Sequence, residues 1–201
     1  MKKTILSLLL VSIISTTLYS QVTSSGQIKS KASIRSAASC DCWQQRDLSW
    51  SVVAFDGFAG SGPPDYRNDD LSSDTIHLPF IFCFYGDTVT DVYINNNGNV
   101  SIDAPHNTYS AFPFPDSTYR MVAPFWADVD TRDSVLSGIV YYKVSSNYMI
   151  VQWDHVGYFN THGDKLNTFQ LIISDGTASI LPETKNVGFC CIQRLRRKMG
   201  F

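Results

Sequence analysis

Three stretches of this chain alternate apolar and polar side chains on both sides of a short turn signal, and each accepts a single register that keeps its apolar side chains on one face. The register matters because a slip of one residue would turn every side chain of a strand to the opposite face. In VYINNNGNVSI, Val92 to Ile102, a two-residue loop at Asn97-Gly98 would set Ile94 against Ser101 and mix the faces. A three-residue loop, Asn96-Asn97-Gly98, sets Ile94 against Val100 and Val92 against Ile102, and puts Gly98 at the left-handed position such loops need. In GIVYYKVSSNYMIVQW a four-residue loop from Ser145 to Tyr148 sets Val144 against Met149, Tyr142 against Val151 and Val140 against Trp153. In FQLIISDGTASI a two-residue turn at Asp175-Gly176 sets Ile173 against Ala178 and Leu171 against Ile180.

Three compatible hairpins predict an all-β domain, an antiparallel sandwich-like fold built of hairpins with long loops and little helix. The acids agree with this. Seventeen Asp stand against one Glu, Glu183, and Asp favours turns and caps where Glu favours helices. Segments from Ser51 to Ile76 and from Pro105 to Tyr119 are rich in Pro, Gly, Asn and Asp and read as loops. The composition, 44% hydrophobic and 13% aromatic, supplies a packed core and excludes wholesale disorder. Past the first twenty residues the aromatic residues begin at Trp43, which places the domain at residues 40–190.

The two ends differ from this middle. Residues 1–20, MKKTILSLLLVSIISTTLYS, have a basic start, an apolar run and a polar close, the pattern of a secretory signal cleaved near Ser20. The run is too short to span a bilayer, so no transmembrane segment is expected. Residues 21–39 hold six serines and no aromatic residue and form a flexible lead-in. Residues 191–201 end in a basic cluster, Arg194, Arg196, Arg197 and Lys198. No element signal closes the domain before this tail, and an interrupted gene is favoured over a functional arm. Between the two ends, residues 21–191 carry 10 basic against 18 acidic groups, so the folded part is acidic and a nucleic-acid partner is not expected.

The candidate chemistry is thin. His155 follows Asp154, but neighbouring strand residues point to opposite faces, which predicts a poor dyad. No G-x-S-x-G elbow, H-E-x-x-H or phosphate loop is present, so an enzyme is not expected. Two acidic clusters raise the question of calcium, which takes six to eight oxygens. One holds Asp65, Asn68, Asp69 and Asp70; the other holds Asp128, Asp130 and Asp133. On a strand Asp128 and Asp130 would share a face and could hold one cation, making calcium the one possible cofactor. The structural alternative is turn carboxylates neutralised by Arg132. Five cysteines suggest disulfides with one thiol left over, and Cys83 with Cys190 is the first choice because both sit in apolar, strand-like segments. Asn99-Val100-Ser101 fits the N-glycosylation pattern but lies inside the tight hairpin, and chance accounts for it. Tyr141, Tyr142 and Trp153 are read as core rather than as a sugar platform.

The segments LPFIFCFYGDTVTDVYINNNGNVSI (Leu78 to Ile102), MVAPFWADVDTR (Met121 to Arg132), GIVYYKV, MIVQWDHVGY and DKLNTFQLIISDG follow one another in this order. Together they resemble the NIDO domain, the nidogen-like extracellular module, over residues 76–190. The CDCW start and NVGFC end look like bacterial secreted versions, which normally continue past NVGFC where this chain departs. The resemblance implies a secreted or cell-surface protein, non-catalytic, engaged in cell–matrix or protein–protein adhesion with an extracellular matrix or cell-surface protein. A carbohydrate-binding module with a glycan partner is the alternative function. The family supplies no active-site residues.

Overall fold

The computed structural model describes residues 43–55, 65–113 and 118–181, together with the backbone of 189–194. All of them belong to one compact unit, Cys40–Phe201. Residues 1–20, expected to be a signal sequence, residues 21–39, expected to be a flexible lead-in, and residues 195–201 lie outside the described residues. No helix occurs among the described residues, and none is therefore long and apolar enough to cross a membrane.

Among the described residues nine strands form two antiparallel sheets. They are β1 (Ser51–Val52), β2 (Ile76–Phe84), β3 (Asp87–Asn95), β4 (Asn99–Ser101), β5 (Met121–Val122), β6 (Ile139–Val144), β7 (Tyr148–Tyr158), β8 (His162–Ser174) and β9 (Phe189–Arg194). The first sheet runs in the order β1-β6-β7-β8-β9 and the second β2-β3-β4-β5. Their facing apolar rows make one core, with Leu78, Phe80, Phe82, Val92, Ile94 and Val100 from the second sheet against Val140, Met149, Val151, Trp153, Phe169 and Leu171 from the first. The molecule is thus an all-β sandwich.

Two of the three expected hairpins form in the expected register. Ile94 faces Val100 across β3 and β4, and the loop between them turns at Gly98 with φ +79°. A Cβ there would lie 2.0 Å from the carbonyl oxygen of Phe125, so geometry and space both demand glycine. Val144 faces Met149, Tyr142 faces Val151 and Val140 faces Trp153 across β6 and β7. The third hairpin does not form. Leu171 lies between Val151 of β7 and Cys190 of β9 rather than opposite Ile180. Both edges of β8 are taken by longer ladders, and Asp175 instead closes a side-chain turn by accepting from the amide of Thr177 at 2.8 Å.

The middle of β7 and the second half of β8 are buried on both faces, so simple alternation understates how covered they are. Residues 44–46 cover part of the outer face. Gln170 exchanges hydrogen bonds with the backbone of Gln44 (3.0 and 2.6 Å) and donates to Gln152 at 2.8 Å. Arg46 lies 3.9 Å from the centre of the Tyr141 ring and pairs with Asp154 at 3.3 Å.

Candidate functional site

At one end of the sandwich, three loops are bonded to one another. Residues 65–72 lead into β2, residues 126–138 lead into β6, and residues 158–162 turn from β7 to β8. The first two are joined at Asn68 and Thr131: the Asn68 carbonyl accepts from the amide and the hydroxyl of Thr131, and the Thr131 hydroxyl accepts from the Asn68 amide, each at 3.0 Å. Arg67 strengthens the joint, because its Nη1 donates to the carbonyls of Thr131, Asp133, Ser137 and Gly138 at 2.8–3.3 Å. The second and third loops meet where the Phe159 amide donates to the Asp128 carbonyl at 3.1 Å and the Thr161 amide donates to Oδ2 of Asp130 at 2.8 Å.

Asp130 is the pin of this end. It is fully buried and accepts from Nε and Nη2 of Arg132 (2.9 and 2.6 Å) and from the Arg132 amide at 3.0 Å. Burial pushes its carboxyl upward, but the Arg132 guanidinium and the amides of Arg132 and Thr161 outweigh burial and hold it below the usual carboxylate range. Residues 123–138 are not strand, so the expectation that Asp128 and Asp130 share a strand face is corrected. Asp130 turns inward to Arg132, and Asp128 meets Asp69 and Asp70 instead.

The two acidic clusters of the sequence are therefore one site. Oxygens of Asp69, Asp70 and Asp128 lie within 4.8 Å of one another. Asp70 accepts from Nδ2 of Asn97 at 2.8 Å; Asp69 pairs with Arg132 at 2.8 Å, while its other oxygen is buried with no hydrogen bond. Burial, then the charge of Asp130, pushes the Asp69 carboxyl up to about 6. Burial, then the charge of Asp70, raises Asp128 as well.

This raised carboxyl fixes the sign of a pH effect. The folded chain holds the Asp69 proton to higher pH than the unfolded chain does, so folding loses stability as pH rises from about 4 to about 6. Thermal denaturation is expected to show a higher melting temperature at pH 5 than at pH 7. Asp69→Asn should flatten that rise, and an unaltered profile in the variant would contradict the assignment.

The same loops carry exposed apolar side chains. Of the nine large apolar residues that stand exposed among those described, five (Tyr66, Leu71, Val135, Leu136 and Phe159) belong to these three loops. Leu136 rests on Gly163, where a Cβ would come within 2.3 Å of its own Cβ, which brings the 126–138 loop against the start of β8. Sequence reading missed Arg67 and these apolar residues. The one available signal was the Val135-Leu136 pair set in the otherwise polar run TRDSVLSG.

Other expected residues stand elsewhere. Cys83 on β2 is exposed with a free thiol; the backbone of Cys190 sits on β9 opposite Leu171, and its side chain lies outside the described residues. The reading of Asp154 and His155 is corrected. The β7–β8 register breaks between Trp153 and Val156, His155 takes φ +52°, and its Nδ1 lies 2.6 Å from Oδ1 of Asp154. A bulge has brought together two side chains that regular pleating would separate. Asn99 is fully buried.

The NIDO-related family matches residues 48–185. Among known proteins, the chain is 31% identical to Nidogen of Drosophila melanogaster over 115 residues, covering 45% of this chain and 8% of that protein. It is 31% identical to human Alpha-tectorin over 134 residues, 54% and 6% of the two chains. It is 38% identical to mouse Nidogen-1 over 86 residues, 42% and 7%. The chain thus spans less than a tenth of each of these relatives. No solved structure matches. With a sandwich fold and a match that runs from the lead into β1 to past the end of β8, the chain belongs to the NIDO-related family.

Proposed function

We propose that this chain is a non-catalytic extracellular adhesion module, secreted or held at the cell surface, that makes cell–matrix or protein–protein contacts. The observation that carries the reading is the loop end, where exposed apolar side chains are gathered on loops fixed by Asp130 and Arg67. Isolated exposed apolar residues are ordinary on any surface, whereas a cluster on a rigid scaffold marks an interaction site. Relatives named for nidogen and tectorin support an extracellular setting.

The test is binding of the purified chain to a panel of extracellular matrix and cell-surface proteins, run beside a glycan array. Saturable binding to a protein of the panel is expected. Selective glycan binding with no protein partner would replace this reading with the carbohydrate module. Intact mass of the exported product would settle secretion, cleavage near Ser20 and the number of thiols together.

A calcium ion is the second reading, favoured by the convergence of Asp69, Asp70 and Asp128. Hard oxygen donors of this kind suit calcium, with backbone oxygens and water completing its shell. Calorimetric titration with calcium chloride should release heat and raise the melting temperature, and Asp128→Asn should remove both. No heat and no shift would reject the site.

A further inference from the structure

We infer that the loop end receives a protein segment in which lysine or arginine side chains stand beside apolar ones. This rests on the adhesion reading and goes further, by naming the chemistry of the partner and the residues that meet it. Residues 65–70 and 128–133 hold six aspartates against two arginines, and both arginines are engaged within the fold. Arg67 donates to backbone carbonyls, and Arg132 is held between Asp130 and Asp69. The charge of Arg132 reaches Asp70 and Asp128, but among the described residues neither makes a direct ion pair with a cation, and both are only partly exposed. On the same loops Val135 and Phe159 are 86% and 60% exposed, and the Phe159 amide donates to the Asp128 carbonyl at 3.1 Å.

These features select one kind of occupant. A purely apolar partner would desolvate Asp70 and Asp128 with only Arg132, already committed to Asp130 and Asp69, as a counter-charge, which is costly. An acidic segment or an anionic lipid surface would add like charge to three crowded carboxylates. A cationic side chain relieves that crowding, and apolar side chains next to it cover Val135 and Phe159. Because the loops are already bonded in place, binding needs little ordering of this surface.

The test uses the full chain in EDTA, with fluorescence anisotropy of a short labelled peptide of repeated Leu-Lys-Ser units. Matched peptides carry Glu for Lys or Ser for Leu. Saturable binding of the Lys peptide is expected, weakening with added salt, with both matched peptides at least tenfold weaker. Asp70→Asn with Asp128→Asn should weaken it about tenfold, and Val135→Ser with Phe159→Ser by a similar factor. Unchanged melting temperatures would show that the variants fold. Equal binding of the Glu peptide, unchanged affinity in both double variants, stronger binding to phosphatidylserine vesicles, or no binding by the wild-type chain would each overturn the inference. A matrix protein that binds wild type and both double variants equally would leave adhesion standing and move it off this face. A panel with no protein partner would instead sink the adhesion reading itself.

Discussion

Trp153→Ala is expected to lower the unfolding free energy by about 4 kcal/mol, the usual range for losing a buried aromatic side chain. Trp153 is fully buried, stacks on Phe169 with ring centres 4.9 Å apart and donates its indole N–H to the Asn96 carbonyl at 3.0 Å. Alanine leaves a cavity between the sheets and strands that carbonyl at the turn of the β3–β4 hairpin. Urea denaturation followed by circular dichroism measures the loss. Trp153→Phe keeps most of the volume and gives up the hydrogen bond, so it should cost about half as much. A loss under about 1 kcal/mol for alanine would mean that the sheets do not meet at this residue.

Asp130→Ala should cost about 3 kcal/mol, in the range found when one partner of a buried pair is removed. The loss has two sources. The amide of Thr161 loses its acceptor, and the Arg132 guanidinium loses the carboxylate that orients it. Arg132 is 46% exposed, so water and Asp69 recover part of its interaction, which keeps the figure below that for a fully buried pair. Thr161 sits at φ +58°, a conformation that a β-branched residue holds only when its surroundings enforce it. Hydrogen exchange at the Thr161 amide should therefore rise well beyond the global loss of stability. Unchanged exchange there would separate Asp130 from the β7–β8 turn.

Much of the fold could be read from period-two alternation because face matching across a short loop has few solutions. Ile94 with Val100 and Val140 with Trp153 follow from loop length alone. The same logic failed for Leu171, because alternation says which face a residue occupies and not which strand lies beside it. A long strand with apolar residues on both faces can pair on either edge, and β9 lies far enough along the chain to be invisible to a local argument. Asp154 and His155 failed for a different reason: a bulge resets the pleat and leaves no local signature in the residues themselves.

The site was half legible. Both acidic clusters stood out, yet nothing in the sequence joined them. The join is made by Asn68, Thr131 and Arg67 through backbone groups, and backbone acceptors have no residue signature. The expectation that Asp128 and Asp130 act together assumed a strand. The irregular backbone there sends Asp130 to Arg132 and leaves Asp128 to the other cluster.

The burial of Asn99 bears on how this protein is made. Its side chain accepts from Asn95 at 2.6 Å inside the β3–β4 pair, so an oligosaccharyltransferase could reach it only before the hairpin closes. Production in a eukaryotic secretory host would set sugar transfer in direct competition with folding. Any molecule modified first would carry a large hydrophilic adduct where the sandwich needs a close-packed amide, and it would be diverted to quality control. A host that lacks this transfer machinery avoids the conflict.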